Sequence, residues 1–329
     1  GHKCPTHVNI ADFALDHVRT IPKVALGDTY SDQTFPLDSP SEIIFAPDHR
    51  LGPKLSCCRQ VWLLFLHYSR ELFRSPSLLW LQYITPLLVG GAFGFIYADI
   101  PNDISGVQNR AGAFFAMQVF WCLVSMSALD TWNAHQAAVS RDIASGYYSI
   151  LPYFVSNASG EVILLRFLPP IAFAGPFYYL AHRNQVETLS MEHFAIFASI
   201  LVFVSLSFSA LCLVIGAAVK NVRAANAIAV LIMVMSLLFG GLLVNRNDAA
   251  DYYSFMFYVF PLGYAFEAIM ANELSMQVIT FDPKGIPMGI NTDGTVWLTN
   301  LGLYNRVPFD MLVLTAFVCG ALFLAYCLL

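Results

Sequence analysis

Six apolar runs punctuated by polar stretches dominate the chain, at about 77–98, 111–132, 161–181, 194–219, 226–245 and 308–329. Each is long enough to cross a hydrocarbon core, which takes roughly 20 residues of helix. Their apolar character runs without the in-out alternation of a barrel strand, and a helix satisfies its own backbone in lipid, so the pattern predicts six transmembrane helices. Ahead of them, residues 59–74 (RQVWLLFLHYSRELFR) interleave Trp62, Phe65, Leu66, Leu72 and Phe73 with basic and polar residues. This spacing predicts an amphipathic interfacial elbow helix, and Ser75-Pro76 separates it from the first span because proline interrupts the hydrogen-bond ladder.

The connections are unequal. Links near 99–110 and 182–193 are short, whereas 133–160 carries His135, Arg141, Asp142 and Gly146-Tyr147-Tyr148. The longest, 246–307, holds two apolar pieces on either side of Pro261, Tyr252 to Phe260 and Gly263 to Met270. Both are too short to span, which predicts re-entrant or interfacial helices. Residues 1–55 are broken repeatedly by proline and are too short to build a sizeable core. The fifth run ends in Phe239-Gly240-Gly241-Leu242-Leu243-Val244-Asn245, and polar sequence starts at Arg246. Glycines permit close approach in lipid, so Leu242 and Leu243 could be pressed against the same leucines of a second copy and form a plug; a plain helix end is the alternative. Small-xxx-small pairs at Gly90/Gly94, Ser205/Ser209 and Ala316/Gly320 allow close packing, within one chain or between two.

Composition agrees with a membrane protein: 57% hydrophobic and 12% charged, against about 25% charged for a soluble domain. The net charge of −5 matters less than where the positive charges fall. Arg59, Arg70, Arg74, Arg141, Lys220 and Arg223 lie on one side, and Arg110, Arg183, Arg246 and Arg306 on the other, which places the N-terminal segment in the cytoplasm. Residues 1–50 lack the apolar core of a signal peptide. The seven cysteines fall in cytoplasmic or membrane segments, so no outer disulfide is expected, and the sequon at Asn157 lies on the cytoplasmic side. No nucleic-acid partner is expected.

Three ionisable residues are costly if they face lipid: Asp130 near the inner end of span two, and Glu161 and Arg166 at the start of span three. Glu161 and Arg166 are five apart, off the helical pairing distance, so Arg166 is expected to reach Asp130 or His135, or to place its head at the inner interface. His-Glu-x-x-His spacing, the Gly-x-Ser-x-Gly elbow and the glycine-rich phosphate loop are all missing from these residues, so no metal site and no catalytic residue is assigned.

Five motifs in register carry a resemblance. Gly106-Val107-Gln108-Asn109-Arg110-Ala111-Gly112, Arg141-Asp142 with Ser145-Gly146-Tyr147-Tyr148, Tyr153-Phe154, Gly241-Leu242-Leu243-Val244-Asn245, and Pro261-x-x-Tyr264-x-Phe266-Glu267-Ala268 with Asn272-Glu273 resemble the G subfamily of ABC transporters. The likeness is greatest to half-transporters of the multidrug (breast cancer resistance), sterol and eye-pigment groups. Cys4-Pro5 followed by Asn9 to Asp16 is similar to the closing segment of that subfamily's nucleotide-binding domain. The resemblance implies an all-α, type-2 exporter fold: residues 1–20 as the end of a nucleotide-binding domain, 21–55 as a linker and 56–329 as a transmembrane domain.

It further implies a homodimer, or a heterodimer with another half-transporter, among membrane lipids, with ATP and Mg held by a nucleotide-binding domain outside this chain. The coupling helix that touches that domain would contain Arg141, Asp142, Gly146, Tyr147 and Tyr148. Asp130, His135, Glu161 and Arg166 would form an inner polar relay, although His135 departs from the glutamate usual there. Phe120, Leu123, Met233, Val234 and Leu237 fall where relatives line the central cavity, and Leu242 and Leu243 would be the outer gate. The Arg166 position influences substrate choice in the multidrug group, and the aromatic clamp of that group is missing at Leu123 and Met233. A hydrophobic, lipid-like or sterol-like substrate therefore fits better than a flat polycyclic one. The function implied is ATP-driven export, most naturally at a plasma membrane; rival readings are a passive channel, an ion-coupled carrier or a non-transporting fragment.

Overall fold

The structure, a computed structural model, describes residues 55–98, 100–101, 103–183, 190–219, 221–248, 250, 252–275, 278–281 and 290–328. The expected domain remnant and nearly all of the linker lie outside these residues, as does Lys220.

The elbow forms as α1, Cys57–Arg74, with Tyr68 and Leu72 buried and Trp62, Leu63 and Phe73 exposed. It ends at Ser75, and α2, Pro76–Ile96, starts on the proline, whose missing N–H costs nothing in a first turn. Span two is α3, Ile104–Ser125, capped by Asp103, whose carboxylate accepts the Gly106 N–H at 2.7 Å. After a break at Met126 the chain continues as α4, Ser127–Ala144, well past the expected end near 132. The 133–160 connection is accordingly mostly helix, with a tight turn at Gly146 (φ +77°) before α5, Ile150–Gly160. A π-helix, Glu161–Phe167, joins α5 to α6, Leu168–Ala181. Then come α7, Met191–Ala218, and α8, Val222–Leu238.

The outer segment holds a short turn of 3-10 helix at Arg246–Asp248, α9, Met256–Val259, and α10, Pro261–Leu274. An antiparallel pair of strands, β1 (Val278–Phe281) and β2 (Ile290–Asp293), follows, with Val278 opposite Asp293. The all-α expectation misses this pair, whose first strand, Val-Ile-Thr-Phe, is rich in residues that favour strands. The chain closes with α11, Gly294–Asn300, and α12, Val307–Leu328.

Five helical segments among the described residues are long and apolar enough to cross a membrane: Leu79–Ile96, Ile104–Asn133, Ile150–Ala181, Met191–Ala218 and Val307–Leu328. The expected fifth span is shorter than its apolar run. α8 has 17 residues, about 26 Å of helix against a core of about 30 Å, because Gly240 and Gly241 end it and Gly241 takes φ +94°. α7 is the centre of the bundle and packs against α3, α4, α6, α8, α10 and α12. α10 is buried almost throughout, between α7 and α12.

Two of the small-residue pairs prove to be contacts within the chain. A Cβ on Gly90 would lie 2.4 Å from the Phe173 carbonyl oxygen, and one on Gly94 would lie 3.0 Å from that of Pro176, so these glycines let α2 lie directly on α6. Ser205 and Ser209 are buried, and the Ser205 carbonyl accepts Ser125 Oγ of α3 at 3.2 Å. Ala316 and Gly320, by contrast, are exposed, with nothing near the Gly320 position.

Candidate functional site

The π-helix changes the expected pairing of the inner charges. Its wider turn brings residues five apart onto one face, so Arg166 meets Glu161 and not Asp130 or His135. Arg166 Nε and Nη2 donate to Glu161 Oε1 at 2.8 and 2.7 Å. Nη2 also donates to Ser127 Oγ at 2.9 Å, and Nη1 to the Val124 carbonyl at 3.1 Å, at the break between α3 and α4. Four donor contacts thus satisfy a guanidinium that is fully buried, which removes the need to reach an interface.

The elbow is tied to the same group. Tyr68 Oη of α1 donates to Glu161 Oε2 at 3.1 Å, and burial, then the Glu161 charge, push its hydroxyl well above the ordinary tyrosine range, so it remains a donor. Gly160 makes room for this ring: a Cβ there would sit 2.3 Å from Tyr68 Cδ1. Gln82 Nε2 of α2 donates to Ser127 Oγ at 2.9 Å, so five elements, α1 to α4 and the π-helix, meet on one buried polar centre.

The other two expected relay members stand apart from it. Asp130 is exposed, and His135 Nε2 lies 3.6 Å from Glu71 Oε1 of α1. The expected relay therefore divides into a buried Glu161–Arg166 centre and a more exposed His135–Glu71 pair.

The residues expected to form a coupling helix are not a separate helix. Arg141 and Asp142 occupy the last turn of α4, and Gly146 to Tyr148 form the turn that follows. Arg141 and Tyr147 are exposed, whereas Tyr148 Oη donates to Asp142 Oδ2 at 3.3 Å and its ring stacks on Tyr153, centroids 5.9 Å apart. Burial, then the Asp142 charge, push the Tyr148 hydroxyl up to about 12.

The expected cavity residues do not share one surface. On α8, Ala225, Ala229, Met233 and Ser236 form the buried stripe, and Leu231, Val234 and Leu238 form the exposed apolar one. Met233, 4% exposed, belongs to the core and corrects the expectation that it faces a cavity; Leu237 lies partly buried at the border. Leu123 is exposed on α3, while Phe120 turns inward and stacks on Phe173 at 5.6 Å. The expected gate residues, Leu242 and Leu243, divide in the same way. In the non-helical segment after α8 consecutive side chains point to different sides, so Leu242 packs on the core while Leu243 is 59% exposed.

A second set of charges, unassigned in the sequence reading, clusters around α10. Glu267, fully buried, accepts Arg246 Nη1 at 2.6 Å, the Tyr304 N–H at 3.2 Å and Arg306 Nη2 at 3.4 Å. Glu273 Oε1 lies 3.0 Å from His182 Nε2 and 3.7 Å from Arg110 Nε. Burial opposes charge on both partners, but the Glu273 hydrogen bond and charge hold His182 above its ordinary value, while His182 and Arg110 hold Glu273 below its own. The signal was present in the sequence as Arg110, Glu267 and Glu273 within the quoted motifs, but nothing in the spacing pairs residues so far apart.

Residues 59–274 match the family model described as ABC-2 type transporter. The chain is 29% identical over 255 residues to ABC transporter G family member 24 of Dictyostelium discoideum, covering 77% of this chain and 22% of that protein. It is 28% identical over 272 residues to a probable ATP-dependent permease of Saccharomyces cerevisiae, covering 82% and 25%. It is 28% identical over 222 residues to the broad substrate specificity ATP-binding cassette transporter ABCG2 of Rattus norvegicus, covering 68% and 33%. The chain thus spans between a fifth and a third of the length of these relatives.

Proposed function

We propose, because this chain belongs to the ABC-2 type transporter family, that it is the membrane half of an ATP-driven exporter working as a dimer by alternating access. It is a multi-pass integral membrane protein. The observation that carries the reading is the two-faced α8. Its inner stripe locks into the core, and its outer stripe, with Leu231, Val234 and Leu238, leaves an apolar surface that ends at the outward-facing Leu243. Two such surfaces facing each other across a dimer axis make an apolar cavity sealed at one end by leucine.

In this reading α8 supplies the sixth crossing, α1 lies at the cytoplasmic interface, and α10 enters the outer leaflet without crossing it. ATP and Mg are held by a nucleotide-binding domain, which meets Arg141 and Tyr147 at the end of α4. The cavity wall has no aromatic side chain among Leu123, Val234 and Leu237, so it suits a flexible lipid-like or sterol-like substrate. The Glu161–Arg166 centre links the elbow to α3, α4 and the π-helix, a route by which motion at the coupling end can reach the cavity. The test is ATP-dependent movement of a fluorescent sterol and of a flat aromatic dye in vesicles holding the chain with its nucleotide-binding domain. Sterol movement that needs ATP supports the proposal. Ion or solute flux independent of ATP would replace it with a passive pathway, and preference for the dye would overturn the substrate assignment.

A further inference from the structure

A cavity of about 430 Å³ lies between α1 and the α4–α5 turn, within the roughly 300–1,000 Å³ usual for small-molecule sites. α1 lines it with His67, Tyr68 and Glu71, and α4 with His135 and Asp142. Tyr148 and Tyr153 form a stacked aromatic wall, while Leu64, Ala138 and Val139 supply apolar surface. Among the described residues its lining holds two carboxylates and no lysine or arginine. Arg141 approaches Asp142 from outside, 4.0 Å away, with its own side chain largely in solvent.

The floor is built by α5. Ser156 and Asn157 line the cavity, are 2% and 9% exposed, and have no side-chain hydrogen-bond partner among the described residues. Both are polar residues of the cavity wall, available to whatever occupies the cavity. Carboxylates, aromatic faces and free oxygen acceptors in one space all favour the same kind of guest, a cation with N–H donors.

We propose that this cavity binds a primary ammonium group carried on an apolar body. Glu71 and Asp142 supply the counter-charge, Ser156 and Asn157 accept N–H donors, and the Tyr148–Tyr153 wall packs against the cation and its first carbons. Two sources share this chemistry: the headgroup of an ethanolamine phospholipid, and a soluble amphiphilic amine. A bound ammonium would also bridge the elbow to the last turn of α4, next to Arg141 and Tyr147.

The test is equilibrium binding of radiolabelled 2-phenylethylamine to the full chain in phosphatidylglycerol nanodiscs at about pH 8, where ordinary histidines are neutral. Saturable binding is expected, weakened about tenfold by Glu71→Gln and further by Asp142→Asn, and unaffected by 2-phenylethanol, which lacks the charge. Ala138→Trp, which fills the space without touching a charge, should abolish it, so the outcome stands even where a charge variant folds poorly. If ethanolamine phospholipid in the disc suppresses probe binding, and native mass spectrometry finds that lipid retained by the wild type but not by the double charge variant, the source is the lipid. Equal probe binding in both kinds of disc makes it the soluble amine. No saturable binding, binding unchanged in both charge variants, or full competition by the neutral alcohol would overturn the proposal. Since the readout is binding and not transport, these outcomes are separate from whether the chain exports a substrate.

Discussion

Glu161 and Arg166 lie on one face of a π-helix, with Nε and Nη2 of the arginine 2.8 and 2.7 Å from the same carboxylate oxygen. An α-helix would set residues five apart too far round for such a pair, so the local change of helix type and the ion pair require each other. Removing one partner leaves a buried charge uncompensated. Arg166→Met is expected to cost about 3–5 kcal/mol, and the double variant E161Q/R166M to recover part of the loss, as read by thermal midpoints in detergent.

Gly160 should tolerate no side chain while Tyr68 stays in place. Gly160→Ala puts a Cβ against the Tyr68 ring, and the elbow must give way. The expected result is a lower thermal midpoint and faster hydrogen exchange across α1. Adding Tyr68→Ala should relieve the clash without restoring the hydrogen bond to Glu161; if G160A alone matched the wild type in both measurements, the elbow would not be held as described.

The two leucines after α8 should behave differently. Leu242→Ala removes partly buried apolar surface and is expected to destabilise the chain by about 1–3 kcal/mol. Leu243→Ala should leave stability near wild type and instead raise passive leak or loosen the coupling of ATP use to transport, measured in vesicles. Gly241→Ala must carry an L-residue at φ +94° and is expected to lose more than about 1 kcal/mol.

The His182–Glu273 pair predicts a stability window in pH. His182 titrates above its ordinary 6.5 in the folded chain, so its contribution is complete below 6.5 and is lost as pH rises through the folded value. Glu273 titrates below its ordinary 4.5, so its contribution is complete above 4.5 and is lost as pH falls through the folded value. Thermal midpoints should therefore peak between these limits. His182→Gln should flatten the alkaline side and keep part of the acid side, because Arg110 still faces Glu273 at 3.7 Å.

Glu267 should be the structural hinge of the outer segment. Glu267→Gln weakens the hold on Arg246 and Arg306, which lie at opposite ends of that segment. Hydrogen exchange is expected to speed up at Leu301 to Arg306 while α7 stays protected; unchanged exchange there would show that packing around α10 suffices.

Much of the architecture was legible in the order of residues because it depends on local chemistry. Apolar runs longer than a turn or two must be helical in lipid, Pro76 starts a helix and ends the elbow before it, and the five motifs in register point to the family. What the order of residues does not contain is the choice of partners across the fold. Arg166 could have reached Asp130 or His135 by spacing; the π-turn assigned it to Glu161. Met233 and Val234 are adjacent in the chain, and the packing of α8 on α7 sent one inward and left the other outside. The Gly240-Gly241 pair read as a device for bringing two helices together, yet in the fold the positive φ of Gly241 ends α8 seven residues before Asn245 and turns the two leucines to different sides. Periodicity and composition act through each residue's own solvation and so are carried by sequence; ion pairs, cavity walls and gates depend on which faces meet in three dimensions, and only the tertiary structure decided those.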